Sequence, residues 1–294
     1  MNPSFKKFLP QILKPSDQEE ALKRLPLISI VIATYHSRRT ITKCLDAIAN
    51  QNYPNKEIIV VDALNYNPEE QKKCREIIER YGKYLQDGPE RSIQRNRGIH
   101  EARGEYILVL DQDMYVREDV LLECYTMFQT NTYIALTIPE ISIGEGFWTQ
   151  CVALERFLST YLETGLNECC RFFQKKDAQK IGGYDPSIVG AEDSDFHYRM
   201  KELGTIGKTK AYALHDEGQT KFFGRIKKKY YYSNAFRKYL KRYPHTAMRQ
   251  FFPIKKSYFK HPLLLLRHPV LVAGMFLLRS GEVMAGFTGL FLKK

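Results

Sequence analysis

The chain has 294 residues, 44 % of them hydrophobic and 27 % charged. That composition suits one large or two modest domains with a sizeable core, and it excludes wholesale disorder. The net charge of +12 is concentrated: residues 208–260 hold fifteen Lys/Arg against two acids, Asp216 and Glu217, so the basicity belongs to one segment.

Residues 1–26 begin MNPSFKKFLPQILKPSDQEE, with no long apolar run and no small-residue cleavage site, and read as a short basic arm rather than a secretory signal. Residues 27–33 (LISIVIA) predict a strand buried on both faces, as in a parallel sheet. After the loop TYHSRR, residues 40–51 have helical spacing, with Ile41, Leu45 and Ile48 on one face. Residues 56–62 (KEIIVVD) predict a second buried strand, 69–81 a charged helix and 106–111 (YILVLD) a third buried strand. This alternation predicts βαβ units and a doubly wound α/β sheet, whose carboxyl edge is the ligand edge. No GxGxxG follows the first strand and no Walker A motif occurs, which removes NAD enzymes and P-loop NTPases. Cys44, Cys74, Cys124, Cys151, Cys169 and Cys170 show neither CxxC nor zinc spacing, and read as reduced, mostly buried thiols of an intracellular protein.

Several acids fall at expected strand or helix ends. Asp111 and Asp113 flank Gln112 after the third strand, where two carboxylates can share one hard divalent cation and the phosphates it carries. The plain alternative is an N-cap and a solvated loop acid. Asp62 ends the second strand and could accept N–H groups of uracil or guanine, or cap a turn. Glu192-Asp193 precedes a helix predicted over 196–203; the helix dipole alone would favour acids there, and a general base is the sharper reading. The turn GGYDP (182–186) would hold that helix start. His215 follows the apolar AYAL and could reach a metal or a diphosphate.

Four stretches in order resemble family 2 glycosyltransferases of the GT-A fold: ISIVIATYHSRRTITKCLDAIANQNYPNKEIIVVD, GPERSIQRNRGIHEARGEYILVLDQD, RFFQKKDAQKIGGYDPSIVGAEDSDFHYRM and AYALHDEG. They cover 27–218, about two-thirds of the chain. The resemblance implies a GT-A domain over 27–220 and an inverting hexosyltransferase. Asp62 would bind the base, with Thr34, Tyr35, Arg95, Asn96 and Gln112 in the donor site. Asp111 would face the ribose and metal, and Asp113 would ligate Mg2+ or Mn2+ together with His215. Asp193 would be the catalytic base, supported by Glu192. Two departures stand out: Asp62 is followed by Ala63-Leu64-Asn65 rather than a second acid, and His36 stands where the family often has Asn.

Residues 221–294 form a basic, aromatic and then apolar tail. RIKKKYYYSNAFRKYLKRYP (225–244) interleaves cations with rings, too many for a solvated face, and no nucleic-acid motif accompanies it. Cations suit an anionic leaflet and tyrosines the headgroup level, so the segment reads as a membrane interface. Residues 262–292 are apolar, broken by Arg267, His268, Arg279 and Glu282. Two short helices lying in one leaflet are the expectation, with a single span as the alternative. The sequence thus predicts a monotopic or peripheral enzyme at the cytoplasmic membrane face, moving a sugar from a UDP- or GDP-sugar to a lipid-linked or polyprenyl-phosphate-type acceptor, with no nucleic-acid partner. Two alternatives remain beside it. One is a non-catalytic scaffold, which intact Asp111, Asp113 and Asp193 disfavour. The other is a sugar-phosphate nucleotidyltransferase, which would need a glycine-rich loop in place of ATYHSRRTITK.

Overall fold

A computed structural model describes residues 25–64, 66–162, 169–252 and 254–292. The N-terminal arm, apart from residues 25 and 26, and Asn65 lie outside the described residues.

The three apolar runs form the predicted strands. β1 (Ile28–Thr34) is buried along its whole length and pairs in parallel with β2 (Lys56–Asp62) on one side and β4 (Tyr106–Asp111) on the other. β3 (Lys83–Gln86) extends the parallel set beside β2. Beyond β4 the sheet continues through β8 (Cys170–Gln174), β6 (Tyr133–Thr137) and β9 (Thr205–Lys208), giving the order β3-β2-β1-β4-β8-β6-β9. A small second sheet, β5 (Met114–Val116), β10 (Ala213–Gln219) and β7 (Glu140–Glu145), stands beside the end of β4. The doubly wound α/β sheet is therefore present, mainly parallel with antiparallel joints at β8.

Alternation along the strands divides the core. Ile28, Ile30, Ile32, Val60, Leu108 and Leu110 pack with α1 (Ile41–Ala49), α2 (Pro68–Ile78) and α4 (Val120–Thr130). Val31, Ile59, Val61, Ile107 and Val109 pack on the other side with Ile99 of α3 (Arg91–Glu101), Ala178 of α6 (Lys175–Lys180), and Phe196 and Met200 of α7 (Glu192–Leu203). Helix starts follow local chemistry. Asn67 accepts hydrogen bonds from the amides of Glu69 and Glu70, and Pro68 opens α2. α7 begins at Glu192, so the acid pair lies in its first turn rather than ahead of it. The six cysteines are free thiols, five of them buried.

α3 has no counterpart in the sequence reading. Its buried face is Ser92, Gln94, Arg95, Gly98 and Ile99, which is mostly polar and leaves no apolar periodicity. Gly98 lets it approach the sheet: a Cβ there would lie 2.3 Å from Cγ1 of Val31.

The C-terminal segment is helical and packs back on the sheet domain. α8 (Phe222–Arg242), α9 (Pro244–Phe251), α10 (Lys256–Lys260), α11 (Pro262–Arg267) and α12 (Pro269–Leu292) follow β10. Tyr239 and Ala247 pack with Ile188 and Ala191, while Met275 and Tyr258 pack with Cys151 and Leu154 of α5 (Phe147–Arg156). The expected pair of short helices is corrected: α12 runs through Ser280-Gly281 unbroken, and the chain breaks at His268 instead. Arg279 and Glu282 form the i, i+3 pair at 3.1 Å, but they turn into the protein, where Glu282 also accepts from Arg225 at 2.7 Å. Inward-facing charges do not interrupt the outer surface, so the helix continues. By length and composition, residues 269–290 could cross a membrane.

Replacing Gly98 by Ala is expected to overpack the α3–β1 contact and cost about 1–3 kcal/mol. Gly224→Ala, where the nearest atom is 3.6 Å away, is expected to be neutral or slightly stabilising. Urea unfolding of the two variants checks the contrast.

Candidate functional site

The strand order reverses between β2 and β4 on either side of β1, which places a crevice at the carboxyl ends of these strands. Register puts Thr34 opposite Asp62 and Ala33 opposite Asp111. Asp62 is wholly buried. One oxygen accepts from Thr34 at 2.7 Å; the other accepts from Tyr66 at 2.6 Å and Tyr84 at 3.1 Å. Burial raises its pKa, against the pull of the three hydroxyls. Under these three hydroxyls the carboxylate has no exposed surface in this arrangement. Tyr35 is more than half exposed and meets His36 and Tyr66 ring edge to face. Gln112 exchanges two hydrogen bonds with the Tyr35 backbone, at 2.7 and 2.9 Å, so its side chain clamps the loop after β1.

Three successive residues of α3 fasten the site. Gln94 donates to the carbonyls of Thr34 and Val61, joining the ends of β1 and β2. Arg95, with no exposed surface, donates to Asp111 and to Asp193, each at 2.7 Å, and stacks over the Tyr184 ring. Asn96 exchanges two 2.8 Å hydrogen bonds with the Tyr184 backbone, holding the turn that leads to α7. Gly182 and Gly183 have φ of +77° and +71°, and a Cβ on Gly183 would strike Asn96. Asn96 and Gln112 thus bind backbone in this arrangement, and Arg95 binds carboxylates.

The acid pair divides. Glu192 is buried against Arg91 at 2.9 Å and Arg95 at 3.7 Å, whereas Asp193 opens into a cavity of about 370 Å³. Asp111 reaches the same cavity. Burial alone would raise its pKa, but Arg95, Arg171 and Arg91 outweigh burial and hold it well below the usual carboxylate range. Arg171 of β8 also binds Glu140 at 2.7 Å. The sequence singles out none of Arg171, Glu140 and Arg156: Arg171 opens a matched stretch but is not one of its acids or turn residues, and Glu140 and Arg156 lie outside the matched stretches.

Asp113 and His215 face each other across the β4 end, with Nε2 of His215 3.5 Å from the carboxylate. Nδ1 of His215 lies 2.9 Å from Glu140. Among the described residues no three His, Cys, Asp or Glu side chains form a cation cage. A divalent ion carried by a diphosphate needs only one or two protein ligands, and the partly exposed Asp113 carboxylate with an imidazole opposite fits that chemistry.

The far wall of the cavity comes from the C-terminal helices. Arg225, Lys229, Tyr232 and Phe236 of α8 and Arg279 and Glu282 of α12 face it together with Asp193. Of the cations in the basic segment, Arg225, Lys229 and Lys255 line this cavity, as does Arg279 from the apolar stretch.

A doubly wound sheet with this crevice, an acid at the end of β2 and an acid pair after β4 has the GT-A fold. A solved structure with the same architecture is the mannosyltransferase PcManGT of Pyrobaculum calidifontis in complex with GDP-Man and Mn2+, at TM-score 0.60, 17 % identity and coverage of 93 % of this chain and 89 % of that one. The sequence profile of glycosyl transferase family 2 matches residues 29–182, more than half of the chain, and the chain belongs to that family. Among curated proteins it is similar to a poly(ribitol-phosphate) beta-glucosyltransferase of Bacillus spizizenii, 36 % identical over 112 residues (35 % of this chain, 17 % of the relative). It is also similar to a beta-monoglucosyldiacylglycerol synthase of Nostoc, 24 % identical over 202 residues (62 % of this chain, 43 % of the relative). The matches span less than half the length of those relatives.

For His215, burial lowers the pKa, but hydrogen bonds with Asp113 and Glu140 raise it from 6.5 to about 10. A raised folded-state pKa contributes stability that is complete below about 6.5 and is lost as pH rises through about 10. In chelator-treated protein, the stability difference between wild type and His215→Gln is expected to shrink over that window. Urea titrations at pH 6, 8 and 10 check it; a flat difference would contradict the assignment.

Proposed function

We propose that the protein is a metal-assisted, inverting glycosyltransferase. In this reading it moves a sugar from a UDP- or GDP-sugar to a lipid-linked or polyprenyl-phosphate-type acceptor at the cytoplasmic membrane face. One observation carries the reading: a single buried guanidinium, Arg95, ties the cavity-facing Asp193 to Asp111 on the donor edge. A base and a donor-site acid are thereby fixed relative to each other.

In this reading Asp193 takes the proton of an acceptor hydroxyl, whose oxygen attacks the anomeric carbon. The bond from that carbon to the diphosphate oxygen breaks on the opposite face, and its electron pair leaves on the diphosphate. The configuration inverts, and no covalent enzyme intermediate forms. Asp113 and His215 would hold Mg2+ or Mn2+, which when bound supplies positive charge to the leaving diphosphate. Arg171 and Arg156 add fixed positive charge at the cavity wall, and Asp62 remains the candidate acceptor for a ring N–H of uracil or guanine. The Mn2+ and GDP-Man named for the mannosyltransferase support the metal and donor class.

The relatives' names give a ribitol-phosphate polymer as the glucosylated substrate of one and a glycolipid as the product of the other, which supports an acceptor at the cell envelope. The tail supports membrane association: Leu263 and Leu266 of α11 and Val270, Leu277, Met284 and Phe287 of α12 are exposed. The other side of α12 packs on α5 and α8, so the helix lies along the domain and suits the plane of one leaflet.

Calorimetry with UDP, GDP, CDP and ADP is expected to select one diphosphate whose binding needs Mn2+, and Asp113→Ala is expected to weaken it at least about tenfold. Asp193→Asn is expected to keep that affinity while turnover falls about 10²–10⁴-fold. Undiminished transfer by Asp193→Asn would refute the assigned base.

A further inference from the structure

Glu140 takes no part in the transfer steps, yet it touches two of the groups that do. It opens β7 beside β10, where Ala213 is its partner in register and His215 stands two residues on, on the same face. Its two carboxylate oxygens have separate partners. Oε1 accepts from Nε and Nη2 of Arg171 at 2.8 and 2.7 Å, which pins the carboxylate from the β8 side. Oε2 lies 2.9 Å from Nδ1 of His215. All three side chains are largely enclosed.

A second group competes for Nδ1. Nη1 of Arg156 lies 3.0 Å from that nitrogen, and a guanidinium can only donate. With Arg156 as its partner, Nδ1 would be bare, Nε2 would carry the proton, and the nitrogen that faces Asp113 could ligate nothing. The same Nη1 has a closer partner, however, in Glu217 at 2.6 Å. A carboxylate held by a guanidinium only accepts, so the Glu140 contact requires the proton on Nδ1. His215 therefore donates through Nδ1 to Glu140, and Nε2, 3.5 Å from Asp113, is the nitrogen turned to the metal side.

We infer that Glu140 is a positioning residue of the metal site: it holds the His215 ring with Nε2 towards Asp113, and Arg171 in turn holds Glu140. The inference rests on the metal-assisted reading above and adds to it a residue that touches neither metal nor sugar. An imidazole whose far nitrogen is unsupported can rotate and exchange tautomers, and losing such a support costs roughly 10–100-fold in metal affinity. Arg171 also reaches Asp111 at 3.4 Å, so one carboxylate is linked, through His215 and through Arg171, to both acids that follow β4.

The test is calorimetric binding of Mn2+–UDP and Mn2+–GDP to the full chain in detergent, comparing Glu140→Gln, Glu140→Asp, His215→Gln and the double variant Glu140→Gln/His215→Gln. In Glu140→Gln the amide oxygen can still accept from Arg171, which turns the amide NH2 to Nδ1 and imposes the wrong tautomer. Glu140→Asp keeps the charge beside Arg171, so the fold does not hang on it, but is one methylene too short to reach Nδ1. Each is expected to weaken the tighter Mn2+–nucleotide complex at least about tenfold. The double variant is expected to lie within about twofold of His215→Gln alone, because Glu140 acts through that ring. Wild-type affinity in either Glu140 variant would overturn the inference; if Asp113→Ala still binds weakly, the metal reading survives that result. A loss that repeats in full in the His215→Gln background would also overturn it, since it would mark a loosened fold. A wild type that binds neither complex would overturn the metal assignment and this inference together. If the His215-dependent loss is seen while wild type transfers no sugar, the positioning role stands and the transferase reading fails.

Discussion

A guanidinium with no exposed surface cannot stand in a protein interior without carboxylates around it, and that constraint organises this molecule. Arg95 lies between Asp111, Asp193 and Glu192 and stacks on Tyr184. Removing one partner of such a buried set costs roughly 3–5 kcal/mol, because the remaining charges lose their compensation. The arrangement is therefore self-enforcing: Asp111 at the end of β4 and Asp193 in the first turn of α7, 82 residues apart in sequence, are held within one side chain's span. Arg95 is set in turn by its neighbours on α3. Gln94 fixes the helix to the ends of β1 and β2, and Asn96 fixes the glycine turn that delivers α7. Gly98 permits the close approach that makes these short bonds geometrically possible.

The second organising feature is that the C-terminal helices have two uses. Their outer surfaces expose leucine, methionine and aromatic side chains suited to a lipid interface. Their inner surfaces complete a cavity whose other wall carries Asp111 and Asp193. α12 can serve both because Gly274 and Gly281 let it pack tightly: a Cβ at either would lie within 2.8 Å of a side chain of α5 or α8.

Much of this was legible in the sequence. β1, β2 and β4 are read from unbroken apolar runs, and α1 from its apolar face, because burial on a parallel sheet leaves that pattern. The acids at Asp62, Asp111 and Asp113 follow from their position at strand ends. α3 was not legible, because its buried face is polar and hydrophobic periodicity is blind to a helix anchored by hydrogen bonds. The same blindness hid Arg171 and Glu140. The tail failed differently: composition shows that cations are many but not which way they face, so Arg225, Lys229 and Arg279 could not be told from Lys227 and Lys241. Arg279 and Glu282 appeared to interrupt an apolar helix, and the fold instead turns both inward.

The central claim is that Arg95 holds Asp193 in place relative to the donor edge through the geometry of its fork, beyond its charge. Steady-state kinetics of Arg95→Lys, with the cognate donor and acceptor, tests it most directly. Lysine keeps the positive charge but cannot bridge two carboxylates in a fixed plane. Nucleotide affinity close to wild type together with a fall in kcat of about 10²-fold is expected. An Arg95→Lys enzyme that turns over at the wild-type rate would contradict the account.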